Sequence, residues 1–346
     1  MRTAASGPTA SPPEAVAEPA QPPVIEVGDL VKRYRLRGRR GQAVSALDGV
    51  SLTVPRRRTY GVVGESGSGK TTLGRVLLRL EEPDSGRVTF DGQDWLAKRG
   101  EPLRRARKEI QAIFQDPLGS LDPRRTAGQA ITEALRAHGL GGRPERTERA
   151  VELLALVGLP ADVARRHPAQ LSGGQRQRVT IARAIAVSPK FIVCDEPTSA
   201  LDVSVQAQII NLLSDLQDSL SVSYLFISHS LATVRHIADR VGVMYLGKIV
   251  EEGPADRLFT QPQHPYTIAL LAAAPVPDPG AARQVGPRQL RGEVPSATRL
   301  PSGCRFRIRC PRAAGVCAET EPPLTEIAPG HAAACHFPGS ADPAAS

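Results

Sequence analysis

Eight consecutive residues, Gly64-Glu65-Ser66-Gly67-Ser68-Gly69-Lys70-Thr71, fit the spacing G-x-x-x-x-G-K-[ST]. A run of this kind holds phosphate. Its glycines let successive backbone N–H groups turn inward on an anion, and the helix that follows points its positive end the same way. Lys70 can reach the β- and γ-phosphates, and the Thr71 hydroxyl can hold Mg2+. Further along, Phe191-Ile192-Val193-Cys194-Asp195-Glu196 is an apolar run that ends in two carboxylates. Asp195 suits Mg2+, directly or through water, and Glu196 suits polarising an attacking water. Two acids after a strand usually mark a solvated strand end; paired with a phosphate loop they read as catalytic. Cys194 reads as a small core residue rather than a reactive thiol.

These residues need elements to hold them. Apolar or alternating runs predict strands at Val24–Val27, Val44–Val54, Tyr60–Val63, Val88–Phe90, Phe191–Cys194, Tyr224–Ile227 and Val241–Val250, the last turning at Gly247. Helical spacing covers Thr71–Leu80, Thr126–His138, Arg146–Val157, Gly173–Val187, Val205–Leu220 and Leu231–Ala238. Strands alternating with helices imply an α/β domain with a largely parallel sheet. The stretch from Asp116 to Ile185 carries helix signals only and reads as an insertion into that core. Beyond Gly253 the prolines 254, 262, 265, 275, 277 and 279 break regular structure. No internal repeat is visible.

Leu171-Ser172-Gly173-Gly174-Gln175, just upstream of the Asp195–Glu196 strand, resembles the signature sequence of the ABC ATPases. The resemblance spans Val24 to Pro254 and implies roles for further residues. Gln115, in Phe114-Gln115-Asp116, matches the Q-loop glutamine that touches Mg2+ and water and relays to a membrane subunit. Ser199-Ala200-Leu201-Asp202 matches the D-loop, and His229, after Ile227-Ser228, matches the switch histidine at the γ-phosphate. Tyr34 stands where the family stacks an aromatic ring on adenine. The implied ATP-binding set is Tyr34, Gly64 through Thr72, Gln115 and Asp195, with Ser172, Gly173, Gly174 and Gln175 meeting the nucleotide of an opposite subunit. The implied Mg2+ ligands are Thr71, Gln115 and Asp195, and the implied catalytic set is Lys70, Gln115, Glu196 and His229. Ser230 departs from the family, where aspartate commonly follows the histidine; lost activity is not inferred from it.

Narrower matches point to one branch. Phe114-Gln115-Asp116-Pro117, continuing to Ser120-Leu121-Asp122-Pro123-Arg124, and Asp195 through Gln206 resemble the oligopeptide and dipeptide importer ATPases. So does His264-Pro265-Tyr266-Thr267, the motif for which their C-terminal extension is named, and the resemblance runs over most of Gln261–Phe337. That tail holds Cys304, Cys310, Cys317 and Cys335 at spacing C-x5-C-x6-C-x17-C. Four thiolates can bind a [4Fe–4S] cluster or tetrahedral zinc, or stay unliganded. Zinc sites usually show closer cysteine pairs, and some importer ATPases of this type resemble this spacing and bind the cluster. Arg305, Arg307, Arg309 and Arg312 either screen such a cluster or form a basic solvated loop.

The expected fold is therefore α/β, a P-loop ABC ATPase core with an antiparallel β subdomain, an inserted helical subdomain and an irregular C-terminal extension. Expected boundaries are a disordered tail at 1–23, the nucleotide-binding domain at 24–258 with its helical part at 116–184, the extension at 259–337, and a second disordered tail at 338–346. The 346 residues carry 41% hydrophobic side chains, enough for a sizeable core. No apolar run reaches membrane-spanning length and the N-terminal segment lacks a signal peptide's apolar block. The expected location is the cytoplasmic face of the membrane, bound peripherally. The resemblance implies as partners a sister ATPase (a copy or a different chain), two permease subunits and an extracytoplasmic binding protein. A net charge of +9 could mean nucleic acid, but aromatics are only 4% and no basic run is interleaved with them, so nucleic acid is not expected. The alternative, a soluble ABC protein of translation or repair, usually has two such domains or a coiled-coil insertion, and neither occurs here.

Overall fold

The computed structural model describes residues 22–35, 43–273 and 295–339. Nearly all of the two expected tails, the basic residues Arg37, Arg39 and Arg40 and prolines 275, 277 and 279 lie outside these. In chain order, β1 (Ile25–Arg35) and β2 (Ala43–Val54) form an antiparallel pair. Next come β3 (Thr59–Val63), α1 (Lys70–Leu77), β4 (Ser85–Phe90), β5 (Gln93–Asp94), α2 (Gly100–Ala106) and β6 (Ile110–Ile113). A helical segment follows, with α3 (Pro117–Ser120), α4 (Ala127–Ala137), α5 (Arg143–Leu156) and α6 (Gly173–Ile185). The core resumes with β7 (Phe191–Asp195), α7 (Val203–Leu220), β8 (Ser223–Ser228), α8 (Leu231–Ile237), β9 (Arg240–Tyr245) and β10 (Lys248–Pro254). The extension supplies α9 (Ala255–Thr260), α10 (Pro265–Ala272), α11 (Val316–Glu319), β11 (Thr325–Ala328) and β12 (His331–Ala333).

Two sheets carry the molecule. An antiparallel sheet runs β2-β1-β4-β5, and a larger one runs β11-β12-β10-β9-β3-β8-β7-β6. Strands β6, β7, β8, β3 and β9 pair in parallel. Every residue of β3, β7 and β8 is buried, as parallel strands covered on both faces require. Helix α1 packs on β7 and β8, and α8 packs on β3 and β8. Apolar side chains such as Phe191, Ile192, Phe226 and Ile227 are fully buried here, each contributing about 1.5–3 kcal/mol.

Local signals explain the inserted helices. Thr126 accepts from the Gln129 N–H while Gln129 reaches back to the Thr126 N–H, which fixes the start of α4. Ser172 and Gln175 make the same box at the start of α6. Ile131, Leu135, Leu153, Leu154 and Val179 then close one apolar core between the three helices. Several short elements escape the sequence reading, among them β6, only four residues of mixed polarity, and the charged α2 with no buried side chain.

The extension is largely loop, as expected, but it joins the core sheet. Glu251 and Glu252 of β10 pair with Ala333 and Ala332 of β12. Glu251 is fully buried and satisfied from the extension: the N–H groups of Gln263 and His264 donate to its carboxylate at 2.8 Å, and the His331 ring lies 2.8 Å away. His264 caps α10, its Nδ1 accepting from the Tyr266 N–H at 3.0 Å. Burial, reinforced by the Arg312 charge, holds the His264 imidazole down at about 3. The unfolded chain therefore takes up that proton first as the pH falls below the ordinary 6.5, so stability is lost from there down to about 3. Between pH 7 and pH 5 the wild-type chain should lose about 2 kcal/mol more unfolding free energy than His264→Asn, which keeps the cap but does not titrate. Urea melts at the two pH values measure it; equal losses would contradict a buried neutral His264.

Candidate nucleotide site

The phosphate loop lies between β3 and α1, where the sequence places it. Gly69 caps α1 with φ +109°, and a Cβ there would stand 2.2 Å from the Ala46 carbonyl oxygen. The loop is thus closed by β2 on one side as well as by its own helix. The Gly247 N–H donates to the Ser68 carbonyl at 2.8 Å, and the Asp48 N–H donates to the Gly247 carbonyl at 2.9 Å. Lys70 is buried inside the loop. Its Nζ donates to the carbonyls of Gly64 at 2.8 Å and Glu65 at 2.9 Å, and to Ser68 Oγ at 3.4 Å. Burial lowers the Lys70 pKa, opposed by the charges of Glu196, Asp195 and Glu65. A charged ammonium held this way is set to receive a polyanion.

Asp195 ends β7 beside α1, and Thr71 Oγ1 lies 3.2 Å from its Oδ1. Burial raises the Asp195 pKa, and Glu196 adds to that. A hydroxyl and a buried carboxylate in contact fit a divalent cation, which would offset the desolvation of the carboxylate. Glu196 has a left-handed backbone, φ +48°, a conformation that costs roughly 1–2 kcal/mol for a side chain with a Cβ. It is fixed by its own N–H donating to the Ile227 carbonyl at 2.9 Å and by Ser199, whose N–H and Oγ both donate to the Glu196 carbonyl. His229 Nδ1 stands 3.3 Å from Glu196 Oε2. Ser230 caps α8 through the Thr233 N–H, which explains how serine serves there.

Tyr34 lies half-buried on β1, its hydroxyl donating to Glu81 and 3.5 Å from Thr72 Oγ1 of α1. Gln115 is exposed just past β6. Ser172, Gly173, Gly174 and Gln175 form the first turn of α6, in the helical segment. A Cβ on Gly174 would lie 2.7 Å from a methyl of Val205, and one on Gly173 3.3 Å from Leu201. The signature turn therefore packs directly on the loop and helix that follow Asp195. The structure thus brings Lys70, Thr71, Asp195, Glu196 and His229 to one edge of the sheet, with Tyr34 against α1. The signature sits on a separate apolar core from α1.

The sequence reading missed how the extension meets this loop. The Glu65 N–H donates to Tyr266 Oη at 2.8 Å. Its carboxylate accepts from Arg309 at 2.7 and 2.9 Å. Arg305 reaches the Leu246 carbonyl and Asp48. Arg305 and Arg309 are buried, so they are not a solvated loop; Arg307 holds the Ser302 carbonyl and Arg312 the Phe337 carbonyl. No local pattern could have paired residues this far apart. Cys304, Cys310, Cys317 and Cys335 line one recess beside His264 and Phe306. Burial pushes the thiols of Cys304, Cys310 and Cys335 up, with neighbouring thiols adding to it. All five cysteines are free, and Cys194 is fully buried in β7. Among the described residues, no three His, Cys, Asp or Glu side chains meet closely enough to hold a metal ion.

A phosphate loop after β3, a carboxylate pair at the end of β7 two strands away in the sheet and a capped signature helix on an α/β core define an ATP-binding cassette. The ABC transporter family profile matches residues 47–199, and the profile for the oligopeptide/dipeptide transporter C-terminal region matches 250–317. A Brucella ovis protein provisionally named a peptide import ATP-binding protein is 51% identical over 315 residues, 90% of this chain and 97% of that one. The oligopeptide transport ATP-binding protein AppF of Bacillus subtilis is 47% identical, over 92% and 98% of the two chains. Among solved structures, a dimeric post-hydrolysis ATP-binding cassette bound to ADP and Pi superimposes with TM-score 0.61 at 29% identity, covering 67% of this chain and 98% of that one. The chain belongs to the ABC transporter ATP-binding family and is an ATPase. Two substitutions probe the loop. Lys70→Ala should weaken ATP binding by about 1.5–3 kcal/mol, roughly ten- to a hundredfold. Gly69→Ala should lower both ATP affinity and melting temperature, because its Cβ meets backbone. Titration with a fluorescent ATP analogue reads both; unchanged affinity in Lys70→Ala contradicts the site.

Proposed function

We propose that this chain is the ATP-hydrolysing motor of a peptide-type ABC importer, bound peripherally at the cytoplasmic face of the membrane. It works with a sister ATPase, two permease subunits and an extracytoplasmic binding protein. The observation that carries this reading is the peptide-transporter extension, which packs onto the phosphate loop itself. Among the described residues no helix is long and apolar enough to cross a membrane.

The geometry supports a division of labour. The N–H groups of Gly67 through Thr72 and the Lys70 ammonium would hold the phosphates, and Tyr34 would stack on adenine. Thr71, Asp195 and Gln115 would hold Mg2+, which when bound neutralises charge on the β- and γ-phosphates. Glu196 takes a proton from water as the water oxygen bonds to the γ-phosphorus and the bond to the β-phosphate oxygen breaks, giving ADP and phosphate. His229 steadies Glu196 and faces the γ-phosphate. The turn at Ser172–Gln175 is a helix N-terminus suited to an anion, and in this reading it closes on the nucleotide of the opposite subunit.

The four cysteines are proposed to share a [4Fe–4S] cluster. Their convergence on one recess supports this. Visible absorption and iron analysis of anaerobically purified protein test it; the absence of both the absorption band and iron would refute the cluster. The transport reading is tested by purifying the tagged chain from its native membranes. Recovery of two permeases, a sister ATPase and a peptide-binding protein is expected. Recovery of ribosomes or nucleic acid without membrane subunits would overturn it.

A further inference from the structure

Glu65 is held at two points from the C-terminal extension. Arg309 makes a two-pronged ion pair with its carboxylate, 2.7 Å and 2.9 Å, and Tyr266 Oη accepts its N–H at 2.8 Å. The Arg309 side chain is 4% exposed, and its guanidinium carbon lies 5.9 Å from the ring centroids of both Tyr245 and Phe306. Tyr245, Tyr266 and Phe306 pack as one aromatic cluster, with centroids 4.6–5.4 Å apart. The same Glu65 faces the nucleotide side through its carbonyl, which accepts from Lys70 Nζ at 2.9 Å and from the Ser68 N–H at 3.2 Å. One residue thus joins the extension to the lysine that would bind phosphate. Its N–H and carboxylate are engaged by the extension, so Glu65 serves the loop as an anchor.

A glycine-rich loop loses much conformational freedom when it closes on phosphate, and fixing it beforehand raises affinity by cutting that cost. The planar fork of arginine matches a carboxylate in two bonds and sets direction as well as distance. We propose that Arg309 and Tyr266 are positioning residues of the ATP site, so that docking of the extension tunes nucleotide affinity. By linkage, bound ATP tightens the docking by the same factor. This rests on the nucleotide site alone and holds whatever cargo the transporter carries.

The test compares full-length wild type, Arg309→Gln, Glu65→Gln, the double variant and Tyr266→Phe. ATP affinity is titrated with a fluorescent ATP analogue well below each melting temperature, and KM and kcat for ATP are measured separately. Arg309→Gln should bind ATP about tenfold more weakly, within the usual range of coupling between sites. KM should rise with kcat at saturation nearly unchanged, because Lys70, Asp195 and Glu196 are intact. The double variant should be no worse than either single one, as expected for two residues acting through one contact. Tyr266→Phe keeps the aromatic packing and removes only the acceptor, so it should lose affinity even where Arg309→Gln fails to fold. ATP should slow hydrogen exchange over residues 301–318 in wild type and not in Arg309→Gln. Variants that melt earlier but bind ATP as wild type does, or a double variant with additive losses, would overturn the proposal. Lys70→Ala is the control: if it too binds normally, the nucleotide site has failed rather than the coupling.

Discussion

Everything in this molecule depends on the register of three parallel strands. Val63 of β3 pairs with Ser228 of β8, and Ile227 of β8 pairs with Asp195 of β7. The three strands therefore stop along one line, and each hands over at once to a chemical segment: the phosphate loop, the Asp195–Glu196 pair and His229. Binding crevices at the carboxyl ends of parallel strands follow from this topology. A slip of one residue in β7 would turn Asp195 away from Thr71 and bury a carboxylate without its partner. Full burial of all three strands on both faces makes such a slip costly, so the core that stabilises the fold also aligns the site.

The phosphate-loop side of the candidate nucleotide site is assembled within one chain. The signature turn at Ser172–Gln175 is an intact, capped helix N-terminus on the inserted helices, with Leu201 and Val205 packed against its glycines. In the proposed closed pair it reads the γ-phosphate of the opposite subunit, and the Leu201–Asp202 turn reports that contact to Glu196 through Ser199. The extension contributes from a third direction, through Glu65. Binding of ATP would then be felt by the partner subunit and by the extension together.

Much of this was legible in the sequence because the chemistry is local. The phosphate loop, the Asp195–Glu196 strand end and the signature each occupy a few consecutive residues, and the strand or helix beside each announces itself by apolar pattern. The inserted helices were legible from their helical spacing, and the Thr126–Gln129 and Ser172–Gln175 boxes fix where two of them start. The short strand β6 was not, since Ile110–Ile113 carries half-buried polar and apolar residues and takes its shape from pairing with β7. The tail arginines show the limit most plainly. Arg305, Arg307, Arg309 and Arg312 look alike along the chain, yet Arg309 is buried on Glu65 across 244 residues while Arg307 bonds its own loop. Glu251, a charged residue in an apolar strand, is buried because residues 263, 264 and 331 come back to satisfy it.

The account turns on Glu196 as the group that activates water beside a phosphate loop that binds ATP. Steady-state turnover and ATP affinity of Glu196→Gln, measured side by side with wild type in the native complex, test this most directly. The account predicts that ATP still binds while turnover falls by about two to four orders of magnitude, the usual contribution of a general base. Turnover near the wild-type rate would contradict it.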